Sequence, residues 1–189
     1  FKSIKYLDNL RRLPINVEKL LADKTFRWKI NDVSLLLLKN IRNVRPSIFM
    51  LGREKMYPLC KEIALKIKEI AYIHSEGYPS GSLKHGPFAM LSRDNFVILL
   101  IDSKNRVKLQ SCFQEIKARD SNIIIFSDCE NIEDEIDLDK KYIVKLPNME
   151  HYEEIIFTVG LQLFCYFLSI NQNINPDKPR NLAKVVTVE

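Results

Sequence analysis

The sequence lacks the cysteine patterns that hold small secreted domains or zinc sites together. It has four cysteines in 189 residues, far apart in the chain and without a C-x-x-C pair. Each lies in or beside an apolar segment, which is typical of reduced cysteines in a protein interior. This usage argues against a disulfide framework and a zinc site, and it predicts a cytoplasmic protein.

Long apolar runs and secretion signals are also missing. No stretch reaches the roughly 18 apolar residues that a membrane span requires. The longest candidate, residues 155–170, contains Gln162 and is predicted to be a buried helix. The chain begins at Phe1 without a signal-peptide pattern, and we expect it to be a piece of a longer protein. It has only 5 glycines, with no repeat and no low-complexity segment, as in ordinary soluble globular domains.

The charge balance is modestly positive, with a formal net charge of +5. The lysines are scattered, and no basic block is interleaved with aromatic residues, which argues against a nucleic-acid-binding surface. A solvated lysine-rich surface accounts for this balance. An anionic small substrate would also suit it.

Short and long apolar segments alternate from residue 46 onward. The short ones are predicted to be buried strands, at residues 47–51, 95–101, 122–126 and 142–146. The long ones are predicted to be helices, at residues 56–74, 104–118 and 152–170. This alternation predicts an α/β fold, in which helices cover both faces of a mainly parallel sheet.

The chain is predicted to have three parts. Residues 1–45 are a helical lead-in, in which Pro14 is expected to separate two helices. Residues 46–171 are the α/β domain, and residues 172–189 are a long C-terminal tail. Trp28, in the lead-in, is expected to lie in the core or in an interface.

A polar turn and a charged helix face follow the first predicted strand. The turn at residues 52–54 could direct backbone N–H groups at an anion, although any α/β unit needs such a turn. Glu62, Lys66 and Glu69 then share one face of a helix. Such spacing is usually ordinary ion pairing, worth about 0.3 kcal/mol. The functional interpretation is a carboxylate that moves a proton beside a cation.

Residues 75–87 are rich in glycine, proline and serine and are predicted to form a functional loop. The loop contains His85, followed by Gly86 and Pro87, which are expected to open a helix. A lone histidine is more often structural. Its titration near neutral pH also suits acid–base catalysis.

The last eleven residues, P-R-N-L-A-K-V-V-T-V-E, have almost no helix or strand periodicity. Proline and arginine followed by an apolar run predict a tail that docks, whereas most termini fray. The tail follows E-I-A-L-K-I-K-E-I, H-S-E-G-Y, L-K-H-G-P and L-Q-L in this order. Together these segments resemble the glutamine–fructose-6-phosphate amidotransferase (glucosamine-6-phosphate synthase) family. The resemblance covers residues 46–189 and is to the family's second sugar isomerase (SIS) domain, an αβα sandwich.

The resemblance implies a role for each matching residue. Glu69 matches the base that moves a proton between C1 and C2 of the sugar, and Lys66 matches the lysine that assists it. Lys184 matches the tail lysine that condenses with the C2 ketone, and the Ala183 backbone matches a sugar contact. His85 matches the histidine that opens the sugar ring. In the family this histidine reaches into the neighbouring subunit's site, which implies an obligatory homodimer.

The resemblance also implies an activity for the whole enzyme. In the family, a glutaminase domain releases ammonia that is channelled to fructose 6-phosphate, giving glucosamine 6-phosphate for UDP-GlcNAc synthesis. A first SIS domain carries a Ser/Thr-rich phosphate cradle, and this chain matches neither the cradle nor the glutaminase. The resemblance implies no metal, nicotinamide or pyridoxal phosphate, and no nucleic-acid or membrane partner.

The chain departs from the family pattern at several motif positions. The family commonly has Gly, Gly, Glu, Pro and Ser where this chain has Glu54, Ile63, Ser82, Gly160 and Val185. These departures leave every predicted catalytic residue in place. They do bring the loop geometry and the rate into question.

Two other interpretations compete with the enzyme. The chain could be a non-catalytic SIS module that binds a sugar phosphate and regulates, or a folded fragment with an exposed interface. A regulator needs neither Lys184 on a docking tail nor Glu69 beside Lys66. These residues therefore favour the enzyme.

Overall fold

A five-stranded sheet forms the centre of the fold, with strand order β2-β1-β3-β4-β5. The computed structural model describes residues 2–41 and 47–182. The strands are β1 Ile48–Gly52, β2 Ser75–Pro79, β3 Phe96–Ile101, β4 Asn122–Ser127 and β5 Ile143–Lys145. Every neighbouring pair is parallel. The predicted α/β class with a mainly parallel sheet is thus confirmed.

Helices cover both faces of this sheet. They are α1 Lys2–Ala22, α2 Lys24–Ile41, α3 Met56–Ala71, α4 Arg106–Lys117, α5 Ile132–Glu135 and α6 Glu153–Ile170. One apolar core joins the sheet to α1, α2, α3 and α6, and a second joins its other face to α4 and α5. All residues of β1 and β3 are buried, as expected for strands covered on both sides.

Helix α6 is long and apolar enough to cross a membrane by length and composition. Half of its residues are buried in this fold. Phe157 and Phe164 are completely buried against the sheet, which is the behaviour of a core helix.

The predicted break at Pro14 is wrong, because α1 runs through this residue. Pro14 lies on the exposed side of α1, where water can reach the carbonyl that loses its N–H partner. The two helices separate at Asp23. Its carboxylate accepts hydrogen bonds from the N–H groups of Thr25 (2.8 Å) and Phe26 (3.2 Å) and so caps α2.

The segment that was predicted as a loop after α3 contains a strand. Helix α3 ends at Ala71, three residues before the predicted end, and β2 then pairs with β1 at the sheet edge. The sequence did not predict this strand because glycine and proline usually indicate a turn. Both residues nevertheless suit their positions in β2. A Cβ on Gly77 would lie 2.6 Å from the backbone nitrogen of Lys61, so only glycine lets α3 sit this close. Pro79 ends an edge strand, where a missing N–H is tolerated.

The helices before residue 46 share a core with the α/β domain. Phe26, Ile30 and Leu37 of α2 belong to the same cluster as α6. Trp28 is not in the core of this chain, because 74% of its surface is exposed. The predicted division at residues 45, 46 and 171 remains a prediction.

Candidate functional site

The outer face of α3 carries the charged residues that the sequence placed together. Lys66 Nζ lies 2.7 Å from a Glu69 carboxylate oxygen and 3.6 Å from a Glu62 oxygen. The opposite face of α3, including Ile63 and Ile67, is buried against the sheet, which turns the charged face outward. The predicted common face of these three side chains is therefore confirmed.

Lys66 and Glu69 are partly shielded from water, with 36% and 26% of their side chains exposed. The hydrogen bond to Glu69 is the largest influence on Lys66 and raises its pKa, so the ammonium form is favoured. The ammonium holds the Glu69 carboxylate in one orientation, and a carboxylate held in this way is a suitable group to accept and return a proton.

The end of α3 also holds the start of the C-terminal tail. Tyr72, the residue after the helix, has a left-handed backbone with φ 58°. Its hydroxyl accepts a hydrogen bond from the Arg180 N–H (2.8 Å), and the Arg180 guanidinium lies 4.2 Å from the centre of its ring. Gln172 adds a second connection, because its amide donates to the Ala71 carbonyl (3.2 Å) at the end of α3.

Sequence reasoning predicted a docking tail but missed its receptor. Tyr72 carries no motif of its own, and no sequence signal connects it to Arg180, 108 residues later. Lys66 and Glu69 lie in the last two turns of α3, and Tyr72 is the residue that follows the helix. Ala183 and Lys184 lie outside the described residues.

The structure places His85 on the other side of the sheet. Its loop packs through Leu83 into the core under α4, and Lys84 forms an ion pair with Glu115 of α4 (2.6 Å). Phe88 of the same loop lies under the guanidinium of Arg119, 3.9 Å from ring centre to cation. His85 itself is exposed. His85 and Glu69 therefore do not meet within one copy of the chain.

The handedness of the crossover connections explains why Glu69 and His85 lie on opposite faces of the sheet. The connection from β1 through α3 to β2 moves outward to the sheet edge, and the connection from β2 to β3 returns past β1. Right-handed crossovers that run in opposite directions lie on opposite faces of a sheet.

The carboxyl edge of the sheet, where α/β proteins commonly bind ligands, is acidic in this chain. Glu54, Asp102 and Glu153 line a cavity at the turn after β1, and Asp128, which follows β4, adds a fourth carboxylate to this edge. Burial is the largest influence on two of them and raises the pKa of Asp102 and that of Asp128, the latter to about 6. Sequence reasoning missed this cluster, because its members come from four separate segments.

This edge is unsuited to a phosphate. The cavity between β1 and β3 has a volume of about 60 Å³, and Lys104 is paired with Glu153 (2.6 Å). Glu54 has a left-handed backbone, with φ 49°. Carboxylates around an anion would repel it. Among residues 2–41 and 47–182, no three His, Cys, Asp or Glu side chains are grouped as metal ligands.

Comparison with protein families gives one match over most of the chain. Residues 40–171 match the family model of the SIS domain. The chain is 39% identical over 183 residues to the glutamine–fructose-6-phosphate aminotransferase [isomerizing] of Wigglesworthia glossinidia brevipalpis, covering 94% of this chain and 28% of that protein. It is 37% identical to the enzyme of the same name from Escherichia coli K12, covering 95% and 28%. The chain thus spans less than a third of the length of these relatives.

Solved structures agree with these matches. The C-terminal domain of glucosamine-fructose-6-phosphate aminotransferase from Francisella tularensis superposes with a TM-score of 0.76 and 30% identity, over 94% of this chain and 47% of that one. Glucosamine-6-phosphate deaminase from Thermotoga maritima, with a TM-score of 0.59 and 21% identity over 83% of this chain and 46% of that one, shares the fold. With its parallel sheet and the family match over residues 40–171, the chain belongs to the SIS domain family and is similar to the C-terminal part of the glutamine–fructose-6-phosphate aminotransferases.

Proposed function

We propose that this chain is the second SIS part of the isomerase domain of a glutamine–fructose-6-phosphate aminotransferase. The complete enzyme converts fructose 6-phosphate and glutamine-derived ammonia to glucosamine 6-phosphate in the cytoplasm, for UDP-GlcNAc synthesis. The observation that carries this proposal is the Lys66–Glu69 ion pair beside the anchor of the tail that bears Lys184.

Each group has a chemical task in this proposal. The Lys184 amine condenses with the C2 ketone and releases water. Ammonia then attacks C2 of this imine, and the bond from C2 to Lys184 breaks, which frees the lysine amine and leaves the new nitrogen on C2. Glu69 takes a proton from C1 and returns it to C2, which converts the ketose skeleton to an aldose. Lys66 keeps the carboxylate oriented and balances its charge. The Ala183 backbone contacts the sugar.

Chain geometry is compatible with a common site for Lys184 and Glu69. Lys184 follows Arg180 by four residues, which span at most about 14 Å when extended. Glu69 precedes Tyr72 by three residues, about 4.5 Å along a helix axis. A tail fixed at Arg180 thus leaves Lys184 enough chain to reach a sugar beside Glu69.

The position of His85 supports a homodimer in this proposal. Its loop packs on the α4 side of the sheet, whereas Glu69 lies on the α3 side. A histidine that opens the sugar ring beside Glu69 would therefore come from a second copy. We propose that each complete site takes His85 from the partner.

The phosphate of the sugar needs a receptor outside this chain. The acidic carboxyl edge of the sheet supports this, because a phosphate there would face Asp102 and Glu153. We propose that the first SIS domain of the same protein holds the phosphate and that a glutaminase domain supplies ammonia.

The imine role is tested by Lys184→Arg in the full-length enzyme. Arginine keeps the positive charge but cannot form the imine, so synthesis should fall by at least about 10³-fold, equivalent to about 4 kcal/mol of barrier. Glutaminase activity should be retained. Lys178→Arg, an exposed tail lysine six residues earlier, is the matched control and should leave both activities unchanged. Synthesis by Lys184→Arg at the wild-type rate would refute the proposal.

A calorimetric titration distinguishes the enzyme part from a regulatory module. Fructose 6-phosphate and glucosamine 6-phosphate are each titrated into the 189-residue chain. No binding is expected, because the phosphate receptor lies in another domain. Micromolar binding, about −8 kcal/mol, would mean a complete site in this chain and would favour the regulatory module.

A further inference from the structure

Tyr72 occupies a backbone conformation that ordinarily selects glycine. The residue after a helix often has a left-handed backbone, and glycine is preferred there because it has no Cβ. Tyr72 holds this conformation with φ 58° and ψ 29°. A bulky residue in a strained position suggests that its side chain has a task.

The Tyr72 side chain makes two distinct contacts with one residue of the tail. Its hydroxyl accepts the Arg180 N–H at 2.8 Å, and its ring lies 4.2 Å from the Arg180 guanidinium. The first contact fixes the backbone of the tail, and the second fixes the direction of a side chain. Neither contact is needed to end α3, because Gln172 already binds the Ala71 carbonyl.

Tyr72 directly follows the helix that carries the proposed proton-transfer residues. Lys66 and Glu69 lie in the last two turns of α3, and Tyr72 is the first residue after it, where the left-handed backbone ends the helix. An anchor at this position, three residues after Glu69, ties the tail to the end of the helix that carries Glu69.

We propose that Tyr72 is a positioning residue that anchors the C-terminal tail through Arg180, four residues before Lys184. The proposal rests on the proposed function, since it assigns Tyr72 to the placement of the Lys184 amine over the sugar. In this role Tyr72 acts through Arg180 and not on the substrate. Its contribution is the geometry of the approach, which sets kcat and has little effect on the affinity for the sugar phosphate.

Tyr72→Gly in the full-length enzyme is the main test. Glycine relieves the left-handed backbone, so the melting temperature should be kept or raised, while both contacts with Arg180 are lost. We expect kcat for synthesis to fall roughly 10- to 100-fold, with KM for fructose 6-phosphate changed less than about twofold. Wild-type kcat in a well-folded Tyr72→Gly enzyme would overturn the proposal.

Tyr72→Phe separates the two contacts. Phenylalanine keeps the ring under the guanidinium and loses only the hydroxyl, so an intermediate loss of kcat is expected. Tyr57→Phe is the matched control. Tyr57, in α3, also has a cation near its ring, Lys61 at 5.9 Å, and its hydroxyl should be dispensable for kcat. Equal losses in both variants would contradict a specific role for Tyr72.

Anchoring itself can be measured without catalysis. Trypsin must take the Arg180 side chain to cut the Arg180–Asn181 bond, and Lys178 is protected by the following proline. In the 189-residue chain, Tyr72→Gly should speed this cleavage about tenfold, as read by mass spectrometry, because two weak contacts are lost. An unchanged rate would refute the anchor.

The two proposals fail in different ways. If Lys184→Arg retains synthesis while Tyr72→Gly still speeds cleavage, the imine role is wrong and the anchor stands. If Lys184→Arg abolishes synthesis while Tyr72→Gly keeps wild-type kcat, the imine role stands and the positioning role is wrong.

Discussion

The two faces of the sheet carry different parts of the predicted chemistry. On one face, α3 presents Lys66 and Glu69 beside the anchored tail. On the other, the loop with His85 packs against α4. The residues are only 16 positions apart at the closest, yet the sheet separates them. Proximity in sequence therefore does not bring Glu69 and His85 together within one copy of the chain.

The largest expected effect distinguishes Glu69 from its neighbour on α3. In the full-length enzyme, Glu69→Gln should lower kcat for synthesis by roughly 10²- to 10⁴-fold, because an amide cannot accept the proton. Glu62→Gln is the matched control. Glu62 lies 3.6 Å from the same Lys66 Nζ and is half exposed, so its loss should change kcat less than about twofold. Equal effects would mean that α3 contributes only surface charge.

The separation of the two faces predicts complementation between inactive subunits. Co-expressed Glu69→Gln and His85→Ala subunits should recover up to about one quarter of wild-type synthesis, because half of randomly mixed dimers hold one intact site of two. The measurement is kcat of the mixture against each variant alone.

A second mixture provides the control for complementation. A mixture of Glu69→Gln and Lys184→Arg subunits should show no recovery. Glu69 and Lys184 are proposed to act in the site of the same copy, so each site of the mixed dimer lacks one of the two groups. Recovery in this control mixture would contradict the proposal that Glu69 and His85 of one site come from different copies. The absence of recovery in the mixture of Glu69→Gln with His85→Ala would contradict it as well.

The smallest expected effect concerns Asp128, at the acidic carboxyl edge of the sheet. We expect Asp128 to affect stability and to leave kcat unchanged. Burial raises the pKa of Asp128 to about 6, above its unfolded value of 3.8. The folded state therefore binds its proton more tightly than the unfolded state. Stability from this group is complete below pH 3.8 and is lost as the pH rises through 6.

Asp128→Asn should remove this loss. The difference in free energy of unfolding between variant and wild type should grow by roughly 1–3 kcal/mol in favour of the variant from pH 4 to pH 7. Urea unfolding at several pH values measures it, and Asp134→Asn, an exposed carboxylate, is the control. A constant difference across this range would mean that Asp128 titrates normally.

Local patterns in the sequence predicted much of this fold. Four of the five strands and the helices between them follow from apolar runs and their lengths, and the common face of Lys66 and Glu69 follows from helical spacing. β2 was not predicted, because its glycine and proline are typical of a turn. It forms because β1 offers it a pairing edge, which no local pattern records.

The amino-acid sequence by itself determined the α/β class, the charged face of α3 and the buried, unpaired state of the four cysteines. These depend on periodicity and hydrophobicity, which act between near neighbours in the chain. Only the tertiary structure decided that His85 lies across the sheet from Glu69, that Tyr72 receives Arg180 and that carboxylates from four segments share one edge. Crossover handedness and the packing of distant segments set these relations, and both arise only when the whole chain folds together.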